Sequence, residues 1–280
     1  MRHPEALCGM VDAVGIDSGA SLTKVAIRAS GATQHRVLPA GDVGHAERLV
    51  SDLAPRRIGL TGGGAAELSR RLGAEAVRVS EFAAWGAGAS ALLDAEGRDA
   101  PHPFLLVSLG TGTSVMLADR LSVNRIGGTA LGGGTVMGLG GLLLGSASFD
   151  EICALAARGD RRHVDMLVSD IYRPGEIALT GDLTASNFGK PILRSGAKPK
   201  PEDVAAAIMG LVGENVALIC AGLAAPHAIR HVVFGGSTLR DNPSLCDVLH
   251  DITSAFGREP VFLERGEYVG AVGALELAAA

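Results

Sequence analysis

A chain of 280 residues with 25 basic and 30 acidic side chains, net −5, is long enough to bury a core without disulfide or metal staples. It is too acidic to be a general binder of nucleic acid or of anionic membranes. Its four cysteines, Cys8, Cys153, Cys220 and Cys246, form no C-x-x-C pair and read as reduced, buried small hydrophobes, which suits a cytoplasmic protein.

The first fifteen residues hold no apolar core of signal-peptide length. Strands are then expected at "AVGID", "KVAIR" and "QHRVLP". A helix follows at "VGHAERLVSDLA", a strand at "RRIGLTGGG", a helix at "AAELSRRL" and a short strand at "EAVRV". Ser80 is a good N-cap for a helix over "EFAAWGAGASALLDA". "HPFLLVSLGTGTSVMLAD" reads as two strands around a Gly-Thr bend. A helix is expected near Val136. In "SFDEICALAARGD", Ser148 and Glu151 form a capping box and Gly159 a C-cap. "RHVDMLVSDIY" reads as a helix and "RPGEIALTGDLTASNFGK" as a loop. A long helix runs from Pro201 to Ala225. Its most apolar stretch, "NVALICAGLAA", is too short to span a bilayer. The strand "HVVFGGS", the helix "PSLCDVLHDITSAF", the strand "PVFLE" and the helix "GAVGALELAAA" complete the chain.

The order contains a repeat. "VGIDSGASLTKVAIR" and "LLVSLGTGTSVMLAD" share one plan of apolar strand, small-residue bend and apolar strand. Each is followed later by a strand running into glycines, "IGLTGGG" and "VVFGGS". Two such halves facing each other make a cleft with both bends at its floor. The expected boundary lies near residues 94–103. That gives a first domain over 1–98 and a second over 99–267, with the helix 268–280 packing back on the first.

The bend residues suit phosphate. Asp17 ends the first strand and suits Mg²⁺ held directly or through water. Gly19, Ala20 and Ser21 bring backbone N–H groups close to an anion. Lys24 either neutralises phosphate charge or faces solvent. Gly132, Gly133 and Gly134 before a helix offer free N–H groups and a helix dipole. Gly235, Gly236 and Ser237 let a ligand approach the backbone closely. Phe149 either flanks such a ligand or belongs to the core.

This plan resembles the actin-like, sugar-kinase and Hsp70-type ATPases. The fold expected is therefore α/β, with duplicated actin-like (ribonuclease H-like) domains and an ATP cleft between them. Nearly the whole chain is similar to the type II pantothenate kinases. The matching stretches are "NRIGGTALGGGTVMGLGGLL", Glu81-Phe82, "ARGDRRHVDMLVSDIY", "GDLTASNFGK", "VVFGGSTLRDN" and "EYVGAVGAL". The resemblance implies ATP- and Mg²⁺-dependent phosphorylation of pantothenate, the first step of coenzyme A synthesis. It implies Glu81 as catalytic base and substrate contact, and Arg125 at the pantothenate carboxylate. It implies ATP contacts from Asp17, Ser18, Gly19, Ala20, Ser21, Leu22, Thr23 and Lys24. Further ATP contacts are Thr111, Gly133, Gly134, Thr135, Val136, Met137, Phe149 and Ser237. Ser186 and Asn187 border the substrate pocket in this reading.

The family pattern is nearer D-x-G-G-T at the first bend and E-F-D at the base, where this chain has Ala20, Ser21 and Ala83. Coenzyme A or an acyl-CoA is a further ligand the resemblance brings. The expected assembly is a homodimer, partly because the resembled family pairs through a long helix of the second half, and partly because the helix 201–225 is apolar on more than one stripe and needs a second cover, from a partner subunit or from another element of the chain. Nucleic acid and membrane are not expected partners. Two other readings fit the same fold: a kinase for another small molecule such as a sugar, and a non-catalytic nucleotide sensor.

Overall fold

The computed structural model describes residues 10–39, 43–73, 76–145, 148–177, 181–190 and 198–280. The first half contains β1 (Val11–Ser18), β2 (Leu22–Ala29), β3 (Ala32–Pro39), α1 (Val43–Leu53), β4 (Arg57–Thr61), α2 (Ala65–Leu72), β5 (Ala76–Arg78) and α3 (Glu81–Ala95). The second opens with β6 (Phe104–Leu109), β7 (Thr113–Ala118), β8 (Val123–Thr129), α4 (Gly133–Leu144) and α5 (Phe149–Ala156). It continues through the short ladder of β9 (Met166–Leu167) and β10 (Thr184–Ser186), then α6 (Pro201–Ala224), β11 (His231–Gly235), α7 (Pro243–Ala255), β12 (Glu259–Phe262) and α8 (Val269–Ala279).

The repeat read from the sequence is a repeat of topology. The first sheet has the order β3-β2-β1-β4-β5 and the second β8-β7-β6-β11-β12. In each, three antiparallel strands are extended by two parallel ones. Both sheets are covered on both faces, so their central strands are near-continuous apolar runs. Alternation survives in side-chain size. Val14, Ile16, Val25 and Ile27 face α1 and α2, whereas Ala13 and Ala26 face the layer of α3 and α8. That layer lies between the sheets, since Phe104, Leu106 and Val233 of the second sheet pack on it from the other side.

The small residues have a cause in α8. A Cβ on Gly15 would lie 2.0 Å from the Ala271 carbonyl oxygen, and one on Gly59 1.9 Å from that of Ala274. The α3–α8 contact is as tight: a Cβ on Gly88 would sit 1.9 Å from the Val269 oxygen, and one on Gly273 1.7 Å from that of Ala84. Backbone meets backbone there, and no side chain fits between.

Several expectations need correction. The helix expected over "RHVDMLVSDIY" is two 3₁₀ turns, Arg161–His163 and Val168–Asp170, flanking β9. Local carboxylates take the backbone donors a helix needs: Asp160 accepts from Arg162 N–H and Asp170 from Leu167 N–H. Strand β8 was hidden inside a stretch read only as glycine-rich. Helix α5 stops at Ala156. Gly159 instead allows close approach of α6, a Cβ there lying 1.9 Å from the Glu202 oxygen.

Helix α6 is 24 residues long, so its length does not exclude a membrane span; what speaks for a core helix is that 67% of its most apolar stretch is buried inside the protein. Its second apolar stripe is therefore covered within the chain, by α5, α7 and the second sheet. That removes the argument for a dimer drawn from this helix. Cys153 and Cys220 are buried and Cys246 half-buried, and none of the three forms a disulfide; Cys8 lies outside the described residues.

Gly273→Ala tests the α3–α8 contact. On helix propensity alone the change stabilises by about 1 kcal/mol. Against the Ala84 carbonyl we expect the opposite sign, a loss of about 2 kcal/mol or more in denaturant unfolding. An unchanged or raised midpoint would show that the helices part without cost.

Candidate active site

The two bends open onto one cavity of about 470 Å³. The first contributes Asp17, Gly19, Ala20, Ser21, Leu22 and Lys24, the second Gly110, Thr111, Gly112 and Thr113. Glu81 and Arg125 line the same cavity. A second, largely apolar cavity of about 400 Å³ shares Ser21, Leu22, Gly110, Thr111 and Ser237 with it and adds Gly133, Gly134, Met137, Phe149 and Arg240.

Asp17 is 7% exposed and stands at the end of β1, in register with Lys24 of β2 and Thr61 of β4. Burial raises its carboxyl pKa; the Lys24 ammonium, 3.9 Å from Oδ2, works against that. The carboxylate is packed against bare backbone: a Cβ on Gly62 would lie 2.6 Å from Oδ1 and one on Gly270 2.7 Å from Oδ2. Lys24 thus points into the cleft and not to solvent.

Glu81 is the first residue of α3. The Ser80 hydroxyl caps that helix, accepting from Ala83 N–H at 3.2 Å. The Glu81 carboxyl is open to the cleft. Partial burial raises its pKa, the Asp17 charge raises it further, and Lys24 opposes both. Arg125 is exposed at the cleft edge, its Nε donating to Ser114 Oγ at 3.5 Å.

The second bend is stapled to its surroundings. Gly133 N–H donates to the Gly110 carbonyl at 2.8 Å and Gly134 N–H to that of Thr111 at 2.9 Å. Thr238 Oγ1 donates to the same Gly110 oxygen at 2.8 Å. The two glycine N–H groups expected to be free for an anion are therefore spent on fixing the bend, which corrects the reading of that helix start. Thr135 Oγ1 accepts from Gly132 N–H at 3.4 Å, and Val136 is wholly buried in the second core. Thr23 is buried, and the Ser18 carbonyl accepts from Gly64 N–H at 2.9 Å. Ser18, Thr23, Thr135 and Val136 do not line either cavity; they shape it. Ser186 and Asn187 also lie off both cavities. Phe149 does line the apolar cavity while packing on the core. Ser21 and Thr111 meet across the cleft, Oγ to Oγ1 at 2.9 Å.

Sequence reading missed Gly62, Gly63, Trp85 and Glu267 on the wall of the polar cavity, and Arg240 in the apolar one. Glu267 and Arg240 lie in stretches matched to the family, "EYVGAVGAL" and "VVFGGSTLRDN", yet neither carries a spacing signal of its own.

Two like halves, opposed glycine-rich bends and a buried aspartate define the actin-like ATPase and sugar-kinase class. The fold is shared with the activator of 2-hydroxyisocaproyl-CoA dehydratase from Clostridium difficile, solved with bound ADPNP, at TM-score 0.61 and 18% identity over 96% of this chain and 94% of that one. It is shared with a ROK family glucokinase from Streptomyces griseus at TM-score 0.60 and 14% identity, over 96% and 99%. The family model Fumble matches residues 43–276. The type II pantothenate kinase of Staphylococcus saprophyticus is 30% identical over 264 residues, 94% of this chain and 99% of the relative. That of Staphylococcus aureus is 32% identical, over 94% and 98%. The chain belongs to the type II pantothenate kinase family.

The buried Asp17 makes a second test. Its pKa is raised on folding, so its contribution to stability is greatest below the unfolded value of 3.8 and falls as pH rises through the folded one. At neutral pH its charge is a cost. Asp17→Asn is expected to raise Tm by a few degrees, on the order of 1 kcal/mol, while cutting turnover at least about tenfold. A lower Tm at neutral pH overturns the assignment of burial as the dominant effect.

Proposed function

We propose that this chain transfers the γ-phosphoryl group of ATP to the primary hydroxyl of pantothenate. The observation that carries the reading is the convergence of Asp17, Lys24 and Glu81 in one polar cavity continuous with an apolar compartment, in a member of this family.

In this reading the base sits in the apolar compartment between Met137 and Phe149, beside Ser237. The phosphates lie between the bends, where they take the place of the Ser21–Thr111 contact, and Lys24 neutralises part of their charge. A single buried carboxylate with room for phosphate oxygens and water fits Mg²⁺, which takes few protein ligands; Asp17 would hold it. When bound, Mg²⁺ supplies charge neutralisation at the transferring phosphoryl group. Glu81 takes the proton of the acceptor hydroxyl, and its raised pKa makes it a better base. Arg125, at the far edge of the same cavity, suits the pantothenate carboxylate. Positioning and charge neutralisation carry the rest of the rate. Ala83 in place of an acid spares Glu81 a neighbouring charge.

Coenzyme A and acyl-CoA contain the pantothenate moiety and are expected to compete at the acceptor site. Unpaired Cys153, Cys220 and Cys246 suit a cytoplasmic setting. A homodimer remains the expected assembly, now on different grounds: Leu142 and Leu143 at the end of α4 are 82% and 53% exposed. Light scattering at micromolar concentration should give twice the mass of the chain, and Leu142→Glu with Leu143→Glu should halve it. A wild-type monomer defeats this.

ATP consumption with pantothenate, set against a panel of sugars, tests the acceptor. Glu81→Gln should lose about 10²–10⁴ in kcat while still binding ATP. Because its carboxyl pKa is raised, the acid limb of kcat against pH should lie above 4.5 and vanish in this variant. Near-wild-type turnover there removes Glu81 as the base.

A further inference from the structure

We propose that Glu267 reads the sugar of the nucleotide, accepting hydrogen bonds from the ribose hydroxyls and setting the preference for ATP over its deoxy forms. This rests on reading the cleft as an ATP site.

The two cavities divide the nucleotide by chemistry. The apolar one, bounded by Met137, Phe149 and Arg240, suits the base; the polar one, with Asp17 and Glu81, suits the phosphates. They meet at Ser21, Leu22, Gly110, Thr111 and Ser237, so the sugar belongs at that junction. Glu267 lines the polar cavity on the same wall as Gly236 and Ser237.

Its position is fixed. Gly236 N–H donates to the Gly266 carbonyl at 2.9 Å, and Tyr268 N–H closes the turn onto Arg265 at 3.0 Å. The turn is pressed on the end of β11, a Cβ on Gly266 falling 2.9 Å from the Gly235 Cα. Glu267 is half-buried, and its side chain makes no ion pair or hydrogen bond with a described residue. When a ligand displaces water from the cleft, a carboxylate with no protein partner among the described residues is unfavourable unless that ligand supplies donors. The carboxylate accepts and does not donate. Phosphate offers it nothing. The ribose, with two adjacent hydroxyls, is the part of the nucleotide that does.

The test compares ATP, 2′-deoxy-ATP and 3′-deoxy-ATP in wild type, Glu267→Ala and Glu267→Gln. Hydrogen bonds to a charged group are worth about 1.5–3 kcal/mol, so the wild type should lose about 10- to 100-fold in kcat/KM for at least one deoxynucleotide. In Glu267→Ala that ratio should fall to within about threefold, with Glu267→Gln between. A general structural defect lowers all three nucleotides together and leaves the ratio alone. The chain's one tryptophan, Trp85, lines the polar cavity, so its fluorescence gives Kd ratios independent of any acceptor. A wild type that discriminates less than about threefold, or a Glu267→Ala protein that keeps the wild-type ratio, overturns the proposal. Absence of turnover with pantothenate but Glu267-dependent Kd ratios would instead remove the pantothenate reading and leave this one standing.

Discussion

The contact on which the rest of the molecule depends is that of α8 with the first sheet and α3, made between backbones at Gly15, Gly59, Gly88 and Gly273. It brings the end of the chain into the middle of the first half. The turn before α8 is hydrogen-bonded to the end of β11, so the same helix reaches from the first sheet to the second. Gly270, at its start, is the surface against which the Asp17 carboxylate rests. The geometry of the cleft floor is thus set by how closely three backbones approach, and that distance tolerates no Cβ.

The electrostatics of the cleft follow from this packing. Removing Asp17 from water makes its charge costly, and Lys24 offsets only part of that cost. The residual field of Asp17 reaches Glu81 and raises its affinity for a proton. A group that destabilises the fold therefore tunes the group that would do the chemistry, a pattern expected where function opposes stability. The opposite wall is treated differently. There the helix-start N–H groups hold the Gly110–Thr111 bend and are not left for a ligand, so rigidity of the second bend takes precedence over direct anion binding.

The duplicated order was legible because each half repeats a strand, a small-residue bend and a strand, and sheets buried on both faces leave unbroken apolar runs. The first bend and Glu81 were found for the same local reasons: small residues at a turn, and an acid after a good N-cap. Strand β8 was not found, because Gly127 and Gly128 carry no strand signal; the register with β7 supplies it. The helix expected over residues 162–172 failed because Asp160 and Asp170 satisfy backbone groups locally. The apolar character of α6 was read correctly but assigned to the wrong cover, since a sequence does not say which neighbour buries a second stripe.

The sequence by itself determined the repeat, the class of fold, the family and the residues at the first bend, because these depend on residue types at short spacing. Tertiary structure alone decided that Gly133 and Gly134 spend their N–H groups on Gly110 and Thr111, that Val136 and Thr23 are buried, and that Glu267 faces the cleft. They depend on segments far apart in the chain, such as Thr238, whose hydroxyl reaches the Gly110 carbonyl across 128 residues. They are set by how the halves pack around α3 and α8, a matter of shape that no local pattern encodes.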